Sequence, residues 1–150
     1  MELILWRHAE AEDGTPDSGR KLTAKGRRQA AALAKWLRKR LPPDAQVLAS
    51  PAMRCQQTAS ALGAAFETEE DIAVGASAAQ LLKAVGWPAA DGTVVVVGHQ
   101  PTLGRVAALL LAEEKAEWNI KKGAVWWLSC RRRPGRPSVT LRAVIGPDLA

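Results

Sequence analysis

Only two histidines, His8 and His99, occur in this 150-residue chain, and each stands one residue beyond a run of apolar residues. The runs are Leu3-Ile4-Leu5-Trp6 and Val94-Val95-Val96-Val97, the second followed by Gly98. Arg7 precedes His8, and Arg54 lies one helical turn beyond Ser50-Pro51, just after a third short run, Val47-Leu48-Ala49. Imidazoles and guanidinium groups gathered in this way point to phosphoryl transfer. A transferring phosphoryl group spreads negative charge over its equatorial oxygens, so its catalysis is mainly positioning and electrostatic stabilisation. Arginine presents two parallel donors to such oxygens. A neutral imidazole can attack phosphorus itself and divide one difficult displacement into two.

That grouping requires elements that end in the same place. Glu2 to Trp6 reads as a buried first strand, Gln46 to Ala49 as a second, and Thr93 to Val97 as a third. The consecutive valines show no alternation, as expected for a strand covered on both faces. A polar loop, Glu10 to Arg20, follows the first strand. Thr23 then caps a helix to about Arg40, with Ala30, Leu33, Ala34, Leu37 and Leu41 on one face and Pro42-Pro43 as its stop. Ser50-Pro51 opens a helix to about Leu62, Ser77 to Val85 is helical, and Pro101 starts a helix to Ala112. Phe66 to Glu69 reads as a short strand. Ala124 to Cys130 and Ser138 to Ile145 read as two strands joined by the basic turn Arg131 to Pro137. Strands alternating with helices predict one α/β domain over residues 1–150, a three-layer α/β/α sandwich with a mainly parallel central sheet. In such sheets ligands bind at the carboxyl ends of the strands, where His8, Ser50 and His99 fall. Helix N-termini near Pro51 and Pro101 would add backbone donors for an anion.

The composition narrows the setting. The net charge is +6 and the isoelectric point about 9.8, which favours anionic partners without choosing among nucleic acid, phosphorylated metabolites and acidic proteins. No apolar stretch approaches the roughly 20 residues of a membrane span. Met1 to His8 carries no basic leader. Two cysteines, Cys55 and Cys130, give neither a disulfide framework nor a zinc spacing. A cytoplasmic protein without a metal or other cofactor is the expectation.

Four ordered motifs resemble a known family. Arg7-His8-Ala9 resembles the Arg-His-Gly signature of the histidine phosphatase superfamily, the group that includes cofactor-dependent phosphoglycerate mutases. Leu22-Thr23-Ala24-Lys25-Gly26 with Gln29-Ala30 resembles its Leu-Thr-x-x-Gly-x-x-Gln-Ala segment. Ser50-Pro51-Ala52-Met53-Arg54 with Gln57-Thr58-Ala59 resembles its Ser-Pro-x-x-Arg-x-x-Gln-Thr-Ala segment, and Val97-Gly98-His99-Gln100-Pro101 its second-histidine motif. The short chain and the Asp17-Ser18-Gly19-Arg20-Lys21-Leu22-Thr23 stretch resemble the SixA phosphohistidine phosphatase branch. The resemblance implies a phosphoglycerate-mutase-like fold, with His8 as nucleophile and Arg7, Arg54 and a protonated His99 on the phosphoryl oxygens.

Two departures bear on mechanism. Ala9 stands where the family has glycine, which is tolerable if the backbone there avoids positive φ. The larger mutases carry a glutamate acid in an insertion, whereas the span from Gly63 to Gly92 is short, and Glu67, Glu69, Glu70 and Asp71 do not form that motif. Asp17 is the preferred proton donor, with Glu10 or water as alternatives. A P–N bond needs less acid help than a phosphate ester, because imidazole leaves readily once protonated. The expected substrate is therefore a phosphohistidine-bearing protein, with a small phosphorylated metabolite as the alternative. A non-catalytic module binding phosphate or nucleic acid is the rival of another class.

Other residues receive plainer readings. Ser50 is expected as a helix cap, and Cys55 as packing. Trp36, Trp87, Trp118, Trp126 and Trp127 are expected to pack, and Trp6 to help wall the pocket. Cys130-x₅-Arg136 has the spacing of a cysteine-phosphatase loop, but its bulky arginines lie between two strands rather than before a helix. The arginine turn reads as a solvated face or a substrate-docking rim rather than a nucleic-acid site.

Overall fold

Alternation along two central strands divides the core into two layers. The computed structural model describes residues 1–150, and β1 (Glu2–Arg7) pairs in parallel with β4 (Thr93–Gly98). Leu3, Leu5, Val94 and Val96 face one layer, while Ile4, Trp6, Val95 and Val97 face the other. Because successive side chains point to opposite faces, an unbroken apolar run supplies both layers at once.

The remaining elements follow from that division. β2 (Gln46–Ala49), the two-residue β3 (Glu67–Thr68), β5 (Val125–Arg131) and β6 (Ser138–Ile145) complete a six-stranded sheet of order β3-β2-β4-β1-β5-β6. Helices α1 (Ala24–Arg38) and α2 (Met53–Ser60) cover one face through Leu33, Ala34, Leu37, Cys55 and Ala59. Helices α3 (Ala78–Ala84) and α4 (Thr102–Ala112) cover the other through Leu81, Leu103, Val106 and Ala107. The expected three layers are present. The sheet is mixed: β1 to β4 run parallel, and β5 runs antiparallel to both of its neighbours, β1 and the edge strand β6.

Several boundaries move. Thr23 caps α1 by accepting from the Gly26 amide, but the helix ends at Arg38, before the prolines. Leu41, ahead of Pro42, is biased away from helical backbone. Helix α2 begins at Met53 rather than at Ser50-Pro51, because Ala52 is still extended (φ −59°, ψ 137°) and no side chain caps it. Ser50 is therefore not the helix cap.

Topology then makes the site. The chain leaves β1, forms β2 beyond β4, and returns to place β4 beside β1. A crevice opens where strand order reverses in this way, at the carboxyl ends of the strands. Arg7 pairs with Gly98 in the β1–β4 register, so the next residue of each strand, His8 and His99, must emerge side by side.

Candidate active site

His8 is the first residue beyond β1, with its amide donating to the Gly98 carbonyl at 3.1 Å. Its ring Nδ1 lies 2.8 Å from the Ala9 carbonyl oxygen. A carbonyl only accepts, so Nδ1 carries the proton and Nε2 keeps its lone pair. Burial, above all, lowers the His8 pKa to about 3; the nearby His99, Arg54 and Arg7 add to this, against an opposing contribution from the Ala9 bond. The imidazole is therefore neutral at physiological pH. That is the form a nucleophile needs.

The ring of His99 stands 5.4 Å from that of His8, centroid to centroid. Its Nε2 lies 2.7 Å from Ser50 Oγ, and its Nδ1 lies 3.4 Å from an Arg54 terminal nitrogen. Guanidinium nitrogens only donate, so Nδ1 accepts and the His99 proton sits on Nε2, directed at Ser50. Burial first, then Arg54, lowers the His99 pKa to about 4, with Asp17 acting the other way. The protein alone thus holds His99 neutral. The expected imidazolium requires the charge of a bound phosphoryl group to counter the arginines.

The two arginines are fixed by backbone carbonyls. Arg7 donates to Ile120 O at 2.8 Å, and Arg54 donates to Asp17 O at 2.9 Å. Each guanidinium keeps a buried Nε with no protein acceptor. Buried unpaired donors are costly, and an oxyanion site tolerates them because its ligand brings acceptors. Arg54 is nearly inaccessible, although it lies on a helix, where basic side chains usually face water. Burial lowers the pKa of Arg7 from its ordinary value.

Asp17 lies at the mouth, on a 3₁₀ turn spanning Asp17–Gly19. Its carboxylate bonds Arg20 at 3.1 Å and Arg54 at 3.1 Å. Arg20 first, then Arg54, holds its pKa below the usual carboxylate range. In the free protein such a carboxylate is ionised and orients Arg54, so proton donation from Asp17 requires the charge of a bound phosphoryl group to raise its pKa. Glu10 is engaged elsewhere, accepting from Thr23 Oγ1 at 2.8 Å on the α1 cap.

Motif positions with no role assigned from sequence hold the loop around the nucleophile. Thr58 Oγ1 accepts from the Ala9 amide, Gln29 from Glu10, and Gln57 from Leu22. A Cβ on Gly26 would sit 2.0 Å from the Glu10 carbonyl oxygen, so only glycine lets the loop cross α1. Ala9 is fully buried without positive φ, and its methyl packs with Leu22 and Ala30. Residues 118–123 form a second support that sequence reading missed. Gln100 bonds Trp118 O at 2.7 Å, and the Gly123 amide bonds the carbonyls of Arg7 and His8.

Two expectations fall elsewhere, whereas Cys55 packs as expected. Trp6 is buried in the core and donates to Gly123 O, so it anchors that segment rather than walling the pocket. The arginine turn lies at the opposite end of the sheet, since β5 runs antiparallel to β1 and Ser129 pairs with Glu2. It cannot rim this site. Cys55 packs in the core with its sulfur 3.5 Å from His99 Nε2, and burial pushes its thiol pKa up to about 12.

Known proteins resemble this chain in sequence and fold. The family description "histidine phosphatase superfamily (branch 1)" matches residues 3–74. An uncharacterized protein of Picosynechococcus sp. is 34% identical over 136 residues, covering 83% of this chain and 82% of the relative. A protein assigned as the phosphohistidine phosphatase SixA of Nakamurella multipartitia superposes with a TM-score of 0.78 at 29% identity, covering 97% of this chain and 95% of the other. The fold is also that of a SixA protein histidine phosphatase complexed with tungstate, with a TM-score of 0.81 at 23% identity over 99% and 98% of the two chains. The family match and the likeness to the Nakamurella SixA structure agree with the motif-bearing strand ends: this chain belongs to the histidine phosphatase superfamily, in its SixA-like group.

Proposed function

We propose that this protein is a phosphohistidine phosphatase acting on a phosphorylated protein, with His8 as nucleophile. The observation that carries the reading is the neutral His8 ring, protonated at Nδ1, beside His99 and two buried guanidinium groups. His8 Nε2 attacks phosphorus as the bond to the leaving nitrogen breaks. Arg7, Arg54 and His99 hold the non-bridging oxygens, and phosphoryl charge draws a proton onto His99 Nδ1. The departing imidazole takes its proton from water. Water then attacks phospho-His8, releasing inorganic phosphate and restoring Nε2.

Two features favour a P–N bond on a protein. The carboxylates nearest the mouth are committed to Arg54 and Thr23, which suits a leaving group needing little acid help. Residues between Gly63 and Gly92 also pack into the core through Ile72, Leu81 and Val85 rather than capping the site, so a macromolecular phosphate has access.

Comparing kcat/KM for a phosphohistidine carrier protein with that for sugar phosphates, nucleotides and p-nitrophenyl phosphate tests the reading. The carrier is expected to lead by about 10²-fold or more. A metabolite leading instead would make this a small-molecule phosphatase. Failure to release phosphate from any donor would make it a binding module.

A further inference from the structure

The end of the sheet remote from His8 carries a trough that the phosphatase chemistry does not use. One part is a cavity of about 550 Å³ lined by Glu2, Trp36, Arg40, Trp127 and Arg142, among others. It adjoins a second cavity of about 470 Å³ with no apolar lining, where Arg131, Arg133, Ser138 and Thr140 join Glu2 and Arg142. Glu2 and Arg142 belong to both. Across the six residues of β1, at about 3.3 Å per residue, the trough lies some 20 Å from the nucleophile.

Its two halves differ in chemistry. In the first, the Arg40 guanidinium lies 4.2 Å from the Trp36 ring centroid and that of Arg142 lies 4.9 Å from Trp127. The two indoles meet edge to face at 6.2 Å. Flat guanidinium groups already layered on indoles present further flat faces to a planar ring. In the second half, Arg131 and Arg133 have no carboxylate within ion-pairing distance. Four arginines face one carboxylate over the whole trough, and that one, Glu2, is engaged by Arg142 at 2.8 Å and by the Trp127 N–H at 3.3 Å.

We propose that this trough binds a nucleoside polyphosphate, with the base against the Arg40–Trp36 and Arg142–Trp127 stacks and the phosphates on Arg131 and Arg133. A ring joined to a short chain of phosphates is the ligand class that matches an aromatic slot continuous with an unpaired arginine cluster. Serine and threonine hydroxyls at Ser129, Ser138 and Thr140 add donors along the phosphate half.

The test is calorimetric titration of the whole protein with the β,γ-methylene analogue of ATP, whose terminal phosphate resists hydrolysis. Saturable binding is expected, weakened at least about tenfold in R131A/R133A and in R40E, while turnover of phosphohistidine protein is unchanged. Both changes lie on exposed side chains, and circular dichroism verifies folding. Inorganic triphosphate binding as tightly as the analogue would reduce the trough to a polyanion sink and overturn the nucleotide assignment. So would a single-stranded oligodeoxyadenylate binding tenfold more tightly with a steep salt dependence, which would mark a nucleic-acid surface. Binding insensitive to the arginine changes but competed by orthovanadate would place the nucleotide at His8 and also overturn it. No heat at millimolar analogue would do the same.

Discussion

His99 Nε2 and Ser50 Oγ lie 2.7 Å apart, both buried. With Arg54 donating to Nδ1, the His99 proton sits on Nε2 and is held there by Ser50. Ser50 reaches this position because its amide bonds Val97 O in β4 and its hydroxyl accepts from Ala52. The Ser-Pro pair thus serves the imidazole instead of the helix.

Replacing Ser50 with alanine is therefore expected to lower kcat by about tenfold, the cost of leaving one buried donor unpaired, with KM little changed. Ser50→Thr retains the hydroxyl and recovers part of the loss. The ¹⁵N shifts of His99 report the tautomer directly. Unchanged shifts in Ser50→Ala would show that the serine does not set it.

Asp17 and Arg54 give opposite magnitudes. Arg54→Ala removes a cation from the developing charge and is expected to cost about 10²–10³ in turnover, by analogy with a lost oxyanion donor. Asp17→Asn removes only an orienting charge at an exposed position and is expected to cost less than about tenfold, a modest effect typical of exposed ion pairs. That loss should be equal for substrates with good and poor leaving groups. A loss that grows as the leaving group becomes more basic would make Asp17 the proton donor.

Gly26→Ala tests the crossing of the first loop over α1. Its Cβ would fall 2.0 Å from Glu10 O, so backbone must move. Overpacking of this kind costs roughly 1–3 kcal/mol. Thermal unfolding is expected to show that loss, and turnover to fall with it as Ala9 and His8 shift. A variant as stable and active as the parent would show the loop to be free of α1.

The buried histidines also set a pH dependence of stability. Both pKa values are depressed, to about 3 for His8 and about 4 for His99. Below the unfolded value near 6.5 the unfolded chain takes up protons that the folded chain does not, so stability falls as pH falls. Each histidine is expected to cost about 2 kcal/mol by pH 5. Denaturant titrations from pH 7 to pH 5 should show this decline, less steep in His99→Gln and flattened by added phosphate as His99 gains its proton. A pH-independent midpoint over that range would contradict buried neutral histidines.

Features encoded in short stretches were legible before any coordinates. Thr23 three residues ahead of Gly26, the valine run and the helix-period leucines of α1 are local patterns, and local patterns specify elements. The shared strand-end position of His8, Ser50 and His99 followed from the same reading. What escaped it are pairings between distant segments. The antiparallel direction of β5 beside β1 depends on the whole sheet order, and that direction alone carries the arginine turn away from the nucleophile. Ser50 against His99, Gln57 against Leu22 and Ile120 against Arg7 are likewise set by tertiary packing. Asp17 was visible as a charged loop residue; its pairing with Arg20 and Arg54 was not.

The central claim concerns the nitrogen that carries phosphorus between substrate and water. Brief incubation with radiolabelled phosphohistidine protein, followed by alkaline quench and peptide mapping, tests it most directly. The account predicts an acid-labile, base-stable label on the peptide bearing His8, absent from His8→Ala. A label retained in His8→Ala, or one mapping to His99 or Cys55, would contradict it.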